Sequence, residues 1–207
     1  RRIVWACSDP ATGSGVYVAN GDGSDPKEVM DQRFGSDFAW RADSEAFAFS
    51  SLHVVDRFNA FHDVYMWTMG EGLSTLTSGE RARNPAFSPD GRELLVIKNE
   101  AQNNDLARIT VDGTVKPLTE HTDHTQLSTP RFSPDGRHIA VSLWRGGQRD
   151  IWVLDPEGLP VRRVTADLAN EQDPWWSADG RRLYFSSDRS GIYNIYAVDL
   201  ESEQLWQ

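Results

Sequence analysis

Residues 130–136 read PRFSPDG, and three related heptapeptides occur elsewhere in the chain: FAWRADS at 38–44, PAFSPDG at 85–91 and PWWSADG at 174–180. Their aspartates, Asp43, Asp90, Asp135 and Asp179, are spaced by 47, 45 and 44 residues. In Ser-Pro-Asp-Gly, the proline presets φ for the second position of a type I turn, and the glycine accepts the left-handed conformation that follows. Each heptapeptide therefore predicts a tight hairpin. Ser44, which stands where the others have glycine, predicts a distorted or strained turn.

Further strand signals follow each heptapeptide. An apolar run comes first, as in Ile139 to Leu143, and an alternating polar and apolar run comes next, as in Asp150 to Leu154. A last segment closes the unit and ends in Leu-Thr or Val-Thr, as at Val164-Thr165. With the strand that contains the heptapeptide, each repeat has four predicted strands. A repeat of this length with four strands is typical of a β-propeller blade.

The phase of the repeat predicts an all-β protein of about five blades in one propeller segment, residues 1–207. The predicted blades are 1–33, 38–77, 85–119, 130–165 and 174–207. The first of them begins too late to contain the heptapeptide strand, so it is predicted to lack its inner strand. We therefore expect the chain to be part of a larger ring of six or more blades.

The best copy of the repeat, Pro174 to Leu200, resembles the TolB-type propeller repeat. The matching positions are Trp176, Ser177, Asp179, Gly180, Phe185, Ser187, Asp188, Arg189, Gly191, Asn194, Ile195, Tyr196 and Asp199. The resemblance extends over essentially the whole chain, and it implies a ring, usually of six blades, around an axial channel lined by the heptapeptide strands. It is specific for fold and weak for function. Similar blades occur in prolyl-oligopeptidase and tricorn-type peptidases and in some polysaccharide lyases.

Composition restricts the partners. Lysine and arginine total 21 against 31 for aspartate and glutamate, a formal charge of −10, so nucleic acid is not expected as a partner. No apolar run approaches the roughly 20 residues that a membrane span needs.

The single cysteine, Cys7, cannot form an intrachain disulfide. The resemblance implies the periplasm or cell envelope of a bacterium, and the composition is also compatible with the cytoplasm.

Alternating strand direction places the loops between second and third strands on the same face as the connections between blades. We expect a protein-binding surface there. The predicted loops are 50–62, 98–104, 144–149 and 188–193, with blade connections at 78–84, 120–129 and 167–173. The candidate binding residues are Arg57, Phe58, Phe61, His62, His121, His124, Arg145, Asp188 and Arg189. For Phe58 and Phe61, packing against the blade edge is the alternative, and for the arginines it is salt bridging within a blade.

No catalytic motif is present: the sequence has no Gly-x-Ser-x-Gly elbow, no HExxH helix and no Walker loop. No cofactor is expected, and Glu120 to His124 offers only a weak metal-site pattern. The favoured hypothesis is a non-catalytic TolB-like scaffold that binds protein partners. One alternative is the gating propeller of a prolyl-oligopeptidase or tricorn-like serine peptidase with its catalytic domain outside this segment. The other is a metal-assisted polysaccharide lyase.

Overall fold

A computed structural model describes residues 1–9, 13–31, 35–54, 57, 59–100 and 102–207. The described residues form strands and turns and contain no helix. In chain order the strands are β1 (Arg2–Asp9), β2 (Gly13–Asn20), β3 (Lys27–Asp31), β4 (Gly35–Trp40), β5 (Ala46–Val54), β6 (Ala60–Thr68), β7 (Gly72–Thr75), β8 (Ala82–Phe87), β9 (Glu93–Glu100), β10 (Asn103–Thr110), β11 (Val115–Pro117), β12 (Gln126–Phe132), β13 (Ile139–Arg145), β14 (Gln148–Leu154), β15 (Pro160–Arg163), β16 (Glu171–Trp176), β17 (Arg182–Ser187), β18 (Asn194–Asp199) and β19 (Leu205–Trp206).

The strands form five successive antiparallel groups, called blades 1 to 5 below: β1–β3, β4–β7, β8–β11, β12–β15 and β16–β19. A single parallel bridge between Asn104 and Gln126 joins blades 3 and 4 into one eight-stranded sheet. Blade 1 has three strands among the described residues, and the other four blades have four each. The predicted all-β fold of four-stranded antiparallel blades is confirmed. The residue limits given for each blade stay predictions.

Apolar residues form one cluster at each junction between neighbouring blades. Strand β9 shows why its sequence reads as an unbroken apolar run. Leu94 and Val96 pack towards blade 2, and Leu95 and Ile97 pack towards blade 4. All four side chains are fully buried, and burial of each contributes about 2 kcal/mol. The blades are therefore held face to face by hydrophobic contact on both sides.

A β-bulge interrupts the inner strand of each four-stranded blade. The pairing of the inner strand with its neighbour shifts register in all four blades. One residue in each shift has a left-handed backbone: Asp37 (φ 55°), Asn84 (φ 52°), Thr129 (φ 46°) and Asp173 (φ 56°). Asp and Asn tolerate this conformation, whereas the β-branched Thr129 is strained in it. A bulge redirects the side chains that follow it, and here those side chains belong to the heptapeptides.

The heptapeptide turns have the predicted chemistry. Ser88 donates its hydroxyl to Asp90 at 2.6 Å, and Ser133 with Asp135 and Ser177 with Asp179 repeat this contact at the same distance. The serine hydroxyl is the main cause that lowers the pKa of each of these aspartates. In blade 2, Arg41 replaces the serine and donates to Asp43 at 2.9 Å. Ser44 takes the left-handed position with φ 61°, where the other three turns have glycine. That this turn is strained stays a prediction.

Replacing Ser44 with glycine should stabilise the chain by about 1 kcal/mol, because glycine adopts this φ without a clash of Cβ. The change also increases the entropy of the unfolded chain, which keeps the gain small. The matched control is Gly136→Ala, at the same turn position with φ 70°. An added Cβ there would meet Pro89 Cδ at an ordinary 3.7 Å, so Gly136→Ala should cost about the same amount through backbone strain alone. Urea denaturation measures the free energy of unfolding of both variants. A Ser44→Gly variant only as stable as the wild type would show that Ser44 is unstrained.

Candidate binding surface

The end of the molecule at which the second and third strands of each blade turn is called the loop face, and it also carries the connections between blades. The structure corrects the extent of the predicted loop 50–62. Strand β5 continues to Val54 and β6 starts at Ala60, so Phe61 and His62 are strand residues. Arg145 likewise ends β13. Arg57 is an exposed bend residue, and Phe58 lies outside the described residues.

A repeated contact between an aspartate and a threonine anchors the loop face. Asp63, at 0% side-chain exposure, accepts hydrogen bonds from the Thr77 hydroxyl at 2.8 Å and from the backbone N–H groups of Gly79 and Glu80 at 2.8 and 3.2 Å. Asp105 and Thr119 repeat the contact in blade 3 at 2.8 Å. The aspartate lies near the start of the third strand and the threonine follows the fourth strand, so the contact fixes the connection to the next blade. This pair was missed from sequence, although both members recur with the period of the repeat.

Two loop-face histidines contact these carboxylates. His53 Nδ1 lies 2.9 Å from Asp63, and His121 Nδ1 lies 2.6 Å from Asp105. His62 and His124 are exposed, and His124 has a left-handed backbone with φ 63°. Within the described ranges, no group of three or more potential ligands is placed to hold a metal ion. The structure therefore places His121 in contact with a carboxylate of its own blade and leaves His62 and His124 facing solvent.

The predicted arginines form ion pairs on the loop face. Arg145 lies 3.1 Å from Asp123 and donates to the Thr125 hydroxyl at 3.0 Å. Arg189 donates to Glu171 at 2.9 Å and lies 3.2 Å from Asp167. These contacts are the salt bridges that the sequence left open as the alternative.

Glu171 is the buried member of this network. Its side chain is fully buried and also accepts hydrogen bonds from the hydroxyls of Ser187 at 3.0 Å and Thr165 at 3.1 Å. Burial raises the pKa of the Glu171 carboxyl, and the hydrogen bonds from Arg189 and Ser187 act in the opposite direction. Burial likewise raises the pKa of Asp150, in β14 of blade 4, against its contact with Arg163. The connection that contains Asp167 and the loop that contains Arg189 are therefore joined through ion pairs beside the Glu171 carboxylate, which several donors hold in place.

Three apolar side chains are exposed on the two loops that this network joins. Leu168 is 97% exposed, and Ile192 and Tyr193 are 69% and 51% exposed. We call these three residues the blade-5 patch. Asp188 accepts a hydrogen bond from the backbone N–H of Asn170 at 2.7 Å, which ties the loop of Leu168 to the loop of Ile192 and Tyr193. The patch therefore lies on two loops whose backbones are linked.

The inner strands of blades 2 to 5 enclose a cavity of 530 Å³ with aromatic walls. Its lining includes Phe38, Trp40, Phe87, Trp175 and Arg131. The Arg131 guanidinium lies 5.0 Å from the Trp175 ring. Burial lowers the pKa of Arg131, while the charges of Asp173 and Asp37 oppose that shift. Sequence reasoning did not single out Arg131, although it stands at the heptapeptide position that is alanine in two other repeats.

No helix in the part of the chain that the structure describes is long and apolar enough to cross a membrane. That result concerns helices alone.

Sequence comparison finds a matching family model for the second half of the chain. Residues 119–206 match the family model of the TolB beta propeller domain. A protein TolB homolog of Chlorobium luteolum is 26% identical over 158 residues, which is 75% of this chain and 35% of that protein. The Tol-Pal system protein TolB of Anaeromyxobacter sp. is 39% identical over 94 residues, which is 45% of this chain and 21% of that protein. The chain thus spans about a third or less of the length of these relatives.

Structure comparison shows the fold. TolB from Acinetobacter baumannii superposes with a TM-score of 0.77 at 23% identity over 99% of this chain and 51% of that chain. A puromycin-hydrolyzing peptidase of Mycobacterium tuberculosis superposes with a TM-score of 0.72 at 19% identity over 99% of this chain and 37% of that chain. At these identities the likeness concerns the propeller and not its activity. Residues 119–206, which contain the last two blades, therefore match the TolB beta propeller domain, and the earlier blades repeat the same heptapeptide and strand order.

Proposed function

We propose that this propeller is a non-catalytic module of the bacterial cell envelope that binds a protein partner through its loop face. The observation that carries the proposal is the blade-5 patch, in which exposed apolar side chains lie on two loops tied together by Asp188 and Arg189. Exposed apolar side chains that cluster are typical of protein-binding surfaces. Loops that are already ordered lose little conformational entropy when they bind, which favours affinity.

The relatives suggest the setting. The Anaeromyxobacter relative is named as a TolB of the Tol-Pal system. We propose that this chain likewise acts in the periplasm and that its partner belongs to that system. The acidic charge of −10 also favours a protein partner over a nucleic acid.

Replacing Ile192 and Tyr193 together with serine should weaken binding of a purified Pal protein by about tenfold or more, because the contact loses two apolar anchors. Isothermal titration calorimetry of the full chain measures the affinity, and the melting temperature checks the fold. The matched control replaces Leu159 and Val161 with serine. These residues are 63% and 57% exposed at the opposite end of the blades. Equal loss in both variants, or no loss in the patch variant, would contradict the proposal.

The alternative is a propeller that gates a serine peptidase, for which the peptidase likeness is the supporting observation. It requires an α/β-hydrolase domain with a nucleophile elbow in the same polypeptide. A serine-directed fluorophosphonate probe applied to the full-length protein separates the two: labelling favours the peptidase, and no labelling favours the binding module.

A further inference from the structure

A small cationic cavity lies on the loop face between blades 2 and 3. It has a volume of 210 Å³ and is lined by Ala60, Phe61, His62, Arg81, Arg83 and Asn99. Two guanidinium groups and one imidazole therefore line one recess, in a chain whose overall charge is −10. No acidic side chain lines it. We call it the cationic cavity.

The guanidinium groups of the cavity have no acidic partner among the described residues. Arg81 lies over the Phe61 ring, with its central guanidinium carbon 4.2 Å from the ring centre. Arg83 Nε is buried and has no hydrogen-bond partner. The nearest acidic residue in sequence, Glu80, is paired with Lys98 at 2.8 Å. Arginines 145 and 189 on the same face, by contrast, each contact a carboxylate.

Arg81 is exposed and Arg83 is half-buried, so both guanidinium groups remain within reach of a ligand from solvent. The buried Nε–H of Arg83 is a donor that no described group satisfies. The sequence has 31 acidic residues, yet none of those described is placed opposite Arg83. Stacking on Phe61 holds the Arg81 plane in place and leaves its N–H donors free at the edge of the ring. A planar guanidinium with free edge donors is suited to binding a carboxylate through two parallel hydrogen bonds.

We propose that the cationic cavity binds a carboxylate of an acidic segment of the protein partner. The proposal rests on the proposed function, because it assigns a chemical class to the partner of the loop face. Leu52 and Val54, exposed on β5, pair with His62 and Ala60 of the cavity and favour a peptide that places apolar residues beside its acidic ones. The partner segment is therefore expected to contain Asp or Glu flanked by apolar residues.

The test is a titration of the ¹⁵N-labelled full chain with acetyl-tetraglutamate amide, observed through the arginine Nε–Hε NMR signals. We expect saturable shifts of the Arg81 and Arg83 signals and none with tetraglutamine. Arg81→Gln and Arg83→Gln should each weaken binding by about tenfold, and Arg83→Lys should weaken it less because it keeps the charge. The matched control is Arg92→Gln, an arginine that is 84% exposed at the opposite end of the blades, which should change affinity by less than about twofold.

The outcomes separate the two proposals. Equal binding by wild type, Arg81→Gln and Arg83→Gln would overturn the cavity proposal, even if the blade-5 patch variant loses its partner. Saturation by inorganic phosphate without saturation by tetraglutamate would also overturn it, in favour of a phosphate site. Tetraglutamate binding that depends on both arginines would support it even if the Pal protein fails to bind, in which case only the proposed partner is wrong. Arg81 is exposed and its side chain forms no ion pair with a described residue, so Arg81→Gln is expected to fold.

Discussion

Replacing Asp63 with alanine is expected to destabilise the chain by about 3–5 kcal/mol, because its fully buried carboxylate accepts hydrogen bonds that no other group can accept. The backbone N–H groups of Gly79 and Glu80 and the Thr77 hydroxyl would all lose their acceptor. The connection between blades 2 and 3 would then have no anchor on the loop face. Arg81 and Arg83 follow directly in the chain, so the cationic cavity should also lose its shape.

Urea denaturation measures the change in the free energy of unfolding. Asp31→Ala removes an exposed carboxylate at the end of β3 and should change stability by less than about 0.5 kcal/mol. Asp105→Ala removes the equivalent residue of blade 3, whose side chain is 14% exposed. Its loss of stability should lie between those of Asp63→Ala and Asp31→Ala. An Asp63→Ala variant as stable as Asp31→Ala would show that the aspartate–threonine contact does not anchor the blades.

The second large effect is expected at Glu171. Glu171→Ala should destabilise the chain by about 3–5 kcal/mol, because it leaves Arg189 without its buried partner and opens a cavity beside Ser187 and Thr165. Glu171→Gln keeps the volume and one acceptor oxygen and should cost less.

The cost of Glu171→Gln should also depend on pH. Burial raises the pKa of this carboxyl in the folded chain above its unfolded value, so the proton is bound more tightly when the chain is folded. The wild type is therefore stabilised through Glu171 at low pH and loses that contribution as pH rises from the unfolded pKa, about 4.3, through the folded one. Glutamine does not titrate, so the difference between wild type and Glu171→Gln should shrink with rising pH. Urea denaturation at about pH 4 and about pH 7 checks this, and a gap that widens would mean that attraction to Arg189 outweighs burial.

Most of the fold could be predicted from the four heptapeptides and the strands that follow them. Their turn residues specify local backbone angles, and the apolar runs such as Leu94 to Ile97 specify a strand buried on both faces. The sequence also shows that Ser44 stands at the left-handed position of its turn, where the other three turns have glycine. The inner-strand bulges were not predictable in the same way. Their residues, such as Asp37 and Asn84, are of types that are also common in loops.

The candidate site was less predictable because its features depend on residues far apart in the chain. Phe61 and His62 were assigned to a loop, whereas pairing across the hairpin extends β5 and β6 beyond the apolar run that marked them. Arg189 lies in a turn between β17 and β18, but Glu171, its buried partner 18 residues earlier, gives no local signal in the sequence. The cationic cavity joins residues of two blades, and only the packing of one blade against the next reveals it.

The left-handed residues of the inner strands have a consequence for the chemistry of the 530 Å³ cavity that these strands line. A backbone with φ near 50° disfavours large and β-branched side chains and selects small polar ones, so three of the four positions hold Asp or Asn. Asp37 and Asp173 lie near enough to Arg131 to act on its charge. The bend that each inner strand needs thus introduces oxygen atoms near an otherwise aromatic wall. The polarity of the cavity between the inner strands is in this sense a consequence of backbone geometry.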